Sequence, residues 1–471
     1  MRKVLFGALF FLLVSTALYA QKTFERWTLS PPVSGISPSP RVVWNDTEKY
    51  WVVAWRQGAS PANILCRTVT PKKGPGTVKT LISGVSSFPK NFDLLFDRQN
   101  QKYLLAYETV DGLKVQPFNL QLTIDGQPTL IEGGVRDSNP RLIETLDGSK
   151  ALIFWFAPKD GSSEVSWKSR LLNISGTAIG AARLIRTASA GMRFQSLEVS
   201  LNPKNGNLFA TLAESNAASI ANILGFSLRP DGTLIRKAPF VFQSGVSETQ
   251  TGARTAFSRT GFGMGIWSQS GIIQLRQLSP SGSFASPSLV LIQAPQGIQV
   301  SSDVLLIPAS NRFLVSFTQN GDVRAEVLNS TGAVDVPSFA LASSSMAIAH
   351  NVRSFIDQEK GSVLTVWEDQ SGANTFQVRA ALSFISGLET TLRGRIESEK
   401  TYSPPLKVHG EIYLGKYHIR TPNGKLIRAY ITPETEFIGR RPHVSDFVEV
   451  HFEAGKSRVR GYIESIQIAQ E

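Results

Sequence analysis

NFDLLFDRQNQKYLLAYE, residues 91–108, holds two alternating apolar runs, FDLLF and YLLAY, on either side of a short polar link. Alternation with period two marks a half-buried strand, and two such runs across a short polar link mark a hairpin. The phrase returns along the chain, for example as RVVWNDTEKYWVVAW (41–55), RLIETLDGSKALIFW (141–155), DVLLIPASNRFLVSF (303–317) and RSFIDQEKGSVLTVW (353–367). Aligning the aromatic residue that ends each second run gives Trp55, Tyr107, Trp155, Trp267, Phe317 and Trp367, with Ala213 in the remaining slot; the steps are 52, 48, 58, 54, 50 and 50 residues. A second marker keeps the same period. The turns Asp125-Gly126, Ser175-Gly176, Asp231-Gly232, Ser281-Gly282 and Thr331-Gly332 have glycines 50, 56, 50 and 50 residues apart.

Each unit reads as four short strands, typified in order by PRVVW or NFDLLF, YWVVAW or RFLVSF, VQPFNLQL or VRAEVLN, and PTLIEG or SLVLIQ. Helical spacing is absent after the first twenty residues. Four-stranded units at a period near fifty are the pattern of a β-propeller, so the chain is expected to be all-β with seven blades. The seventh unit has three strands, in HNVRSFID, SVLTVWED and FQVRAALSF, and no fourth. FERWTLSPPVSG (24–35) resembles the phrases that end the other units, so a strand over residues 26–33 is expected to complete the last blade and pair its open edge.

With these phrases in view, residues 24–386 resemble the variable propeller repeats of exported bacterial proteins, whose units run P-x-apolar-x-apolar, Y-L-apolar-x-W, L-x-x-x-G. The Gly-His and Trp-Asp pairs of WD repeats and the Asp-x-Asp-x-Asp-Gly calcium loop are absent. The resemblance implies a fold and leaves the activity open.

MRKVLFGALFFLLVSTALYA (1–20) has the basic start, apolar run and small-residue end of a secretory signal peptide. Its apolar run is short of the ~20 residues that cross a bilayer. Export with cleavage is therefore expected, to the periplasm or beyond the cell, and no transmembrane span is left after signal cleavage. The domains are then residues 1–20 as leader, 21–386 as propeller and 387–471 as a small β-barrel. Without Arg2 and Lys3 the chain has 47 basic against 37 acidic residues. That excess is dispersed and argues for solubility, not for a nucleic-acid footprint. Cys66 is the one cysteine, which excludes an internal disulfide and is expected to be a small buried side chain.

All eight tryptophans precede residue 388, where the repeat stops. LRGRIESEK, HGEIYLGKYHIRT, LIRAYIT, FVEVHFEAG and SRVRGYIESIQIA read as five or six strands of a separate small barrel. Their order resembles small barrels of the OB type appended to exported bacterial proteins. Such barrels can bind oligosaccharide or nucleic acid, and the plainer reading is a structural or docking module. His409, His418, His443 and His451 fall here without the spacing of a compact metal motif.

The inner strands carry the most informative side chains. Counting along the aligned units gives Arg41, Asp93, Arg141, Arg254, Asp303 and Arg353, with Glu198 nearby in the fourth unit, which reads as out of register. In a propeller these positions approach the central channel. A ring of arginine forks would match a carboxylate or phosphate; the competing reading is that arginines and carboxylates of neighbouring blades neutralise one another. Asp93, Glu198 and Asp303 are also the only acid and base candidates for glycan hydrolysis or lysis, although no Ser-x-Asp-x-Gly-x-Thr-Trp box accompanies them. A third possibility, adhesion or envelope structure without a small ligand, predicts a broad exposed apolar patch.

Glu108, Glu214 and Glu368 read as strand-end caps or partners of basic neighbours, GFGMG (261–265) as close backbone packing, and the Asn45, Asn173 and Asn329 sequons as chance matches. The expectation is an exported, non-enzymatic binding or assembly scaffold, monomeric, with an anionic ligand or a protein or glycan partner of the cell envelope at one mouth of the ring. No cofactor, metal or nucleic-acid partner is expected, and no catalytic residue is assigned.

Overall fold

The computed structural model describes residues 22–468 apart from 35–36, 59–60, 72, 86–91, 159–163, 174, 190, 217–219, 248–252, 270–271, 294–300, 308–310, 343–347, 358–361, 373–374, 385–389, 409–410, 421–425, 432–435, 439–446 and 454–460. The expected leader lies outside these residues. Among them, no helix is long and apolar enough to cross a membrane.

Residues Thr23–Ser383 form one compact unit, and it is a seven-bladed β-propeller. Seven antiparallel sheets follow one another, each starting with an inner strand: Arg41–Asn45, Phe92–Asp97, Arg141–Glu144, Met192–Leu201, Arg254–Phe257, Ser302–Ile307 and Ile348–Ile356. Each inner strand touches the next, and Ile348–Ile356 touches Arg41–Asn45, so the order runs round a ring. In blades 2 to 6 the four strands of the sheet are consecutive in the chain. In the seventh, Ile348–Ile356, Ser362–Gly372 and Thr375–Phe384 are followed at the outer edge by Lys22–Thr28, with Val33–Ser34 also on Thr375–Phe384.

The hydrophobic cores lie between blades. One cluster joins Val52 and Ala54 of the first blade to Leu94, Tyr103 and Leu105 of the second; others join Trp155 to Leu104, Phe154 to Leu212, Phe209 to Trp267, and Ile266 to Val315. Period-two alternation serves this arrangement, because successive side chains of a strand face the blade before and the blade after. The aromatic markers Trp55, Tyr107, Trp155, Trp267, Phe317 and Trp367 are all buried.

The turns follow from side-chain chemistry. In the phrase at residues 91–108, Asp97 Oδ1 accepts from the Asn100 backbone N–H at 3.0 Å, and Asn45 Oδ1 accepts in the same way from the Thr47 and Glu48 amides of the first blade. Asn173 and Asn329 accept from the amides two and four residues on. The three sequons thus have a structural cause: an asparagine that closes the turn on itself, with a Ser or Thr two residues later in two of them bonding the same oxygen. The X-Gly glycines 126, 176, 232, 282 and 332 all have φ between 79° and 108°, where a side chain is strained. GFGMG is close packing: a Cβ on Gly263 would stand 2.6 Å from Phe257, and one on Gly265 2.7 Å from Phe242.

The described residues from 384 on belong to a second compact unit. Its strand Thr390–Val408 pairs antiparallel with Glu411–Arg420 and Phe447–Glu453, and Leu426–Ile431 pairs with Glu411–Arg420. Gly461–Ile468 pairs antiparallel with Phe447–Glu453 and parallel with Leu426–Ile431.

Candidate functional site: the central channel

The inner strands set seven side chains at one level. Arg41, Asp93, Arg141, Arg254, Asp303 and Arg353 each pair with the residue just before a marker aromatic: Ala54, Ala106, Phe154, Ile266, Ser316 and Val366. Glu198 pairs with Thr211, which precedes Leu212. This corrects the sequence reading of the fourth unit, where Ala213 took the aromatic slot and Glu198 stood out of register. Glu198 stands fourteen residues before Leu212, as Arg41 does before Trp55 and Arg141 before Trp155, so Leu212 holds the marker slot of this unit and Glu198 is level with the rest.

All seven line one channel of about 930 Å³. Within it, Glu198 is the hub. Its Oε1 lies 3.0 Å from Arg141 Nη2 and 3.0 Å from Arg353 Nη2, and its Oε2 lies 2.6 Å from Arg254 Nη1. Arg141 and Arg254 come from the two blades flanking Glu198, whereas Arg353 comes from blade 7, so the carboxylate reaches across the channel. The remaining carboxylates point at backbone and neighbours. Asp93 Oδ1 is 3.1 Å from Arg41 Nε, and its Oδ2 accepts from the Leu142 N–H at 2.8 Å; Asp303 Oδ2 accepts from the Ser354 N–H at 2.8 Å. Each therefore ties its own blade to the next.

Charge in the ring does not cancel. Four guanidinium groups face three carboxylates, leaving one positive charge when all are ionised. Arg41 holds the least compensated part: its Nη1 donates to the Pro40 carbonyl at 3.2 Å, and its buried Nη2 has no hydrogen-bond partner among the described residues. Burial and the neighbouring Arg141 bring its pKa down to about 10 despite Asp93. Burial opposes ionisation of Glu198 as well, yet Arg141, Arg254 and Arg41 outweigh it and hold this carboxyl down at about 2. Asp303 is pushed up to about 6 by burial, which Arg254 only partly offsets, and burial also raises Asp93.

The Asp303 shift has a measurable consequence. A carboxyl whose folded pKa exceeds its unfolded value of roughly 3.9 stabilises the fold below that value and loses the contribution as pH rises through the folded pKa. Stability is therefore expected to fall by about 2 kcal/mol between pH 4 and 7 through this group. Glu198 works oppositely, contributing above its ordinary range and losing the contribution only as pH falls toward 2. Denaturant unfolding of Asp303→Asn across that window should lack the fall in stability spread between about pH 4 and 6; an unchanged profile contradicts the assignment.

Beyond the ring the channel wall is apolar, with Leu95, Ile143, Val199, Leu305, Phe355 and Ile356 half-buried along it. At the far end it is lined by the inner-hairpin turns, including Arg98, Gln99, Asp147 and Arg259. Sequence reading missed both this wall and the hairpin rim. The apolar residues were legible, but alternation alone does not separate a side chain facing the channel from one packed between blades.

The other candidates stand elsewhere. Glu108 accepts from the Ser138 N–H and hydroxyl at 2.9 Å, and Glu368 accepts from the Ser37 hydroxyl and the Ser39 N–H, so each joins a second strand to the loop entering the next blade. Glu214 accepts from the Ser189 N–H at 3.0 Å. Cys66 is buried, and burial lifts its thiol to about 12. His409 and His443 lie outside the described residues; His418 Nδ1 is 2.7 Å from the Ser398 hydroxyl.

No protein-family model matches the chain, and no curated protein matches it. Among solved structures, the polysaccharide lyase Uly1 is similar at 10% identity with a TM-score of 0.50, over 73% of this chain and 89% of that one. The Dos1 propeller gives 9% identity and a TM-score of 0.45, over 77% and 96%. The α-L-arabinofuranosidase Arb93A of Fusarium graminearum gives 8% and 0.45, over 76% and 98%. At 10% identity the first of these likenesses shows the fold alone; the TM-scores of the other two carry no further argument.

Proposed function

We propose that the protein is an exported binding scaffold whose propeller channel takes an anionic ligand. The observation that carries this reading is the uncompensated ring: four arginines against three carboxylates, with Arg41 Nη2 buried and without an acceptor among the described residues. A planar guanidinium with a spare donor in a low-dielectric channel is suited to a carboxylate or phosphate oxygen. Export rests on the leader sequence. The parallel pairing of Leu426–Ile431 with Gly461–Ile468 supports an OB-like barrel as the C-terminal docking module, and the position of Lys22–Thr28 at the edge of blade 7 supports closure of the ring by the N-terminal strand.

A glycan hydrolase or lyase is the second reading. Asp303, held at about 6, has the proton affinity of a general acid. Its partner would have to be Glu198 or Asp93, and both oxygens of Glu198 are already engaged by guanidinium groups, while Asp93 bonds Leu142 and pairs with Arg41. No carboxylate of the ring is thus left free to act as base or nucleophile.

Thermal unfolding of the mature chain in inorganic phosphate, galacturonate or galactose at fixed ionic strength tests the binding reading. The two anions should raise Tm with concentration, as any ligand of the folded state does, and galactose should not. Equal responses to all three, or none, would overturn it.

A further inference from the structure

We infer that the channel's ligand is an amphipathic anion, an aliphatic carboxylate whose head meets the arginine ring and whose tail lies along the channel wall. The inference rests on the anion reading above and deepens it by naming the ligand class. Three observations carry it beyond charge.

The wall between ring and hairpin rim is mostly hydrocarbon, with the Glu144 carboxyl beside the rim. Leu95, Ile143, Val199, Leu305, Phe355 and Ile356 are only half-buried there, and apolar surface left facing a channel is covered favourably by an apolar ligand. The inner-strand hydroxyls that line the channel are also committed: Ser200 and Thr255 bond each other at 2.5 Å, and Ser354 bonds Ser316 and Thr365. A sugar would find no free donor among them. Of the aromatic side chains that border the channel, Trp44, Phe96 and Phe257 are buried and Phe355 is half-buried within the apolar wall.

Size agrees with a medium-length tail. Thr145 lies four residues beyond Arg141, so at ~3.3 Å per residue the rim stands about 13 Å from the ring. The volume of about 930 Å³ lies within the ~300 to 1,000 Å³ of small-molecule sites. The head would approach the ring beside Arg41, without displacing Glu198 from Arg141, Arg254 and Arg353.

Calorimetric titration of the mature chain with butanoate, hexanoate, octanoate and decanoate, beside inorganic phosphate and decanol, tests this. Affinity should rise about two- to four-fold per added methylene, with decanol well below decanoate. Binding of phosphate and every carboxylate with no dependence on chain length would overturn the amphipathic ligand and leave the anion reading standing. Decanol binding as tightly as decanoate, with phosphate silent, would overturn both, as would no binding by any probe.

Discussion

Glu198→Ala is expected to lower the unfolding free energy by about 3 to 5 kcal/mol, the cost of removing one partner from a buried ion pair and leaving its charge uncompensated. The effect should stand at the top of that range because three guanidinium groups share this carboxylate. With only 17% of its side chain exposed, water replaces little of what is lost. Arg141 and Arg254 would repel each other across the vacated position, and blade 7 would lose its polar tie to blade 4 through Arg353. Glu198→Gln keeps the volume and some hydrogen bonding, so it should cost less than the alanine change. High phosphate should restore part of the stability of the alanine variant by occupying the vacated site. Urea unfolding of the three proteins with and without phosphate provides the measurement; a Glu198→Ala protein within about 1 kcal/mol of the parent, the range of surface pairs, would remove Glu198 from its place as hub.

A comparably large loss is expected on deleting residues 22–34. The segment pairs with Thr375–Phe384, and its Leu29 N–H donates to the Val378 carbonyl at 2.7 Å while Ser30 Oγ accepts from the Val378 N–H at 2.9 Å. Arg26 Nε donates to the Leu341 carbonyl at 3.2 Å in blade 6, and Trp27 lies against Gly74 of blade 1. Leu29 and Val33 are buried. At about 1 kcal/mol net per hydrogen bond and 1.5 to 3 kcal/mol per buried aliphatic side chain, the loss is roughly 5 kcal/mol or more. Thr375–Phe384 would become an open edge, a template for pairing with other chains. Size-exclusion chromatography should show oligomers alongside the lowered Tm; a monomer with the parent's Tm would contradict ring closure by this segment.

Much of the fold was legible because its signals are local. The hairpin phrase, the X-Gly turns and the marker aromatics each state a strand or turn within a few residues, and their common period reports the blades. The levels of the ring residues followed from that alignment in six units. Glu198 did not, because that unit has no aromatic residue at the marker position and the slot falls on Leu212, one residue before Ala213. The sequence reading paired ring residues between neighbouring blades, and Arg41 with Asp93 obeys it. The bond from Glu198 to Arg353 joins residues 155 apart in blades that are not neighbours, and it exists only once the ring is closed. The buried carboxylates Glu108 and Glu368 were legible as capping groups, whereas their acceptance of amide protons from the loops into the next blade depends on how the blades abut.

Arg41 offers the sharpest test of the channel's role. It joins the ring at Asp93 and takes no part in the contacts to Glu198 within ion-pair distance, so Arg41→Gln should leave the hub intact. The decisive measurement is the affinity of the protein without its first twenty residues for a carboxylate, octanoate for example, in the parent and in Arg41→Gln, with Tm recorded for both. Loss of a charge-assisted hydrogen bond worth about 1.5 to 3 kcal/mol predicts a drop of roughly ten- to a hundred-fold in affinity while the variant stays folded. Equal affinity in the two folded proteins would show that the ring is a brace between blades and that its positive charge holds no ligand.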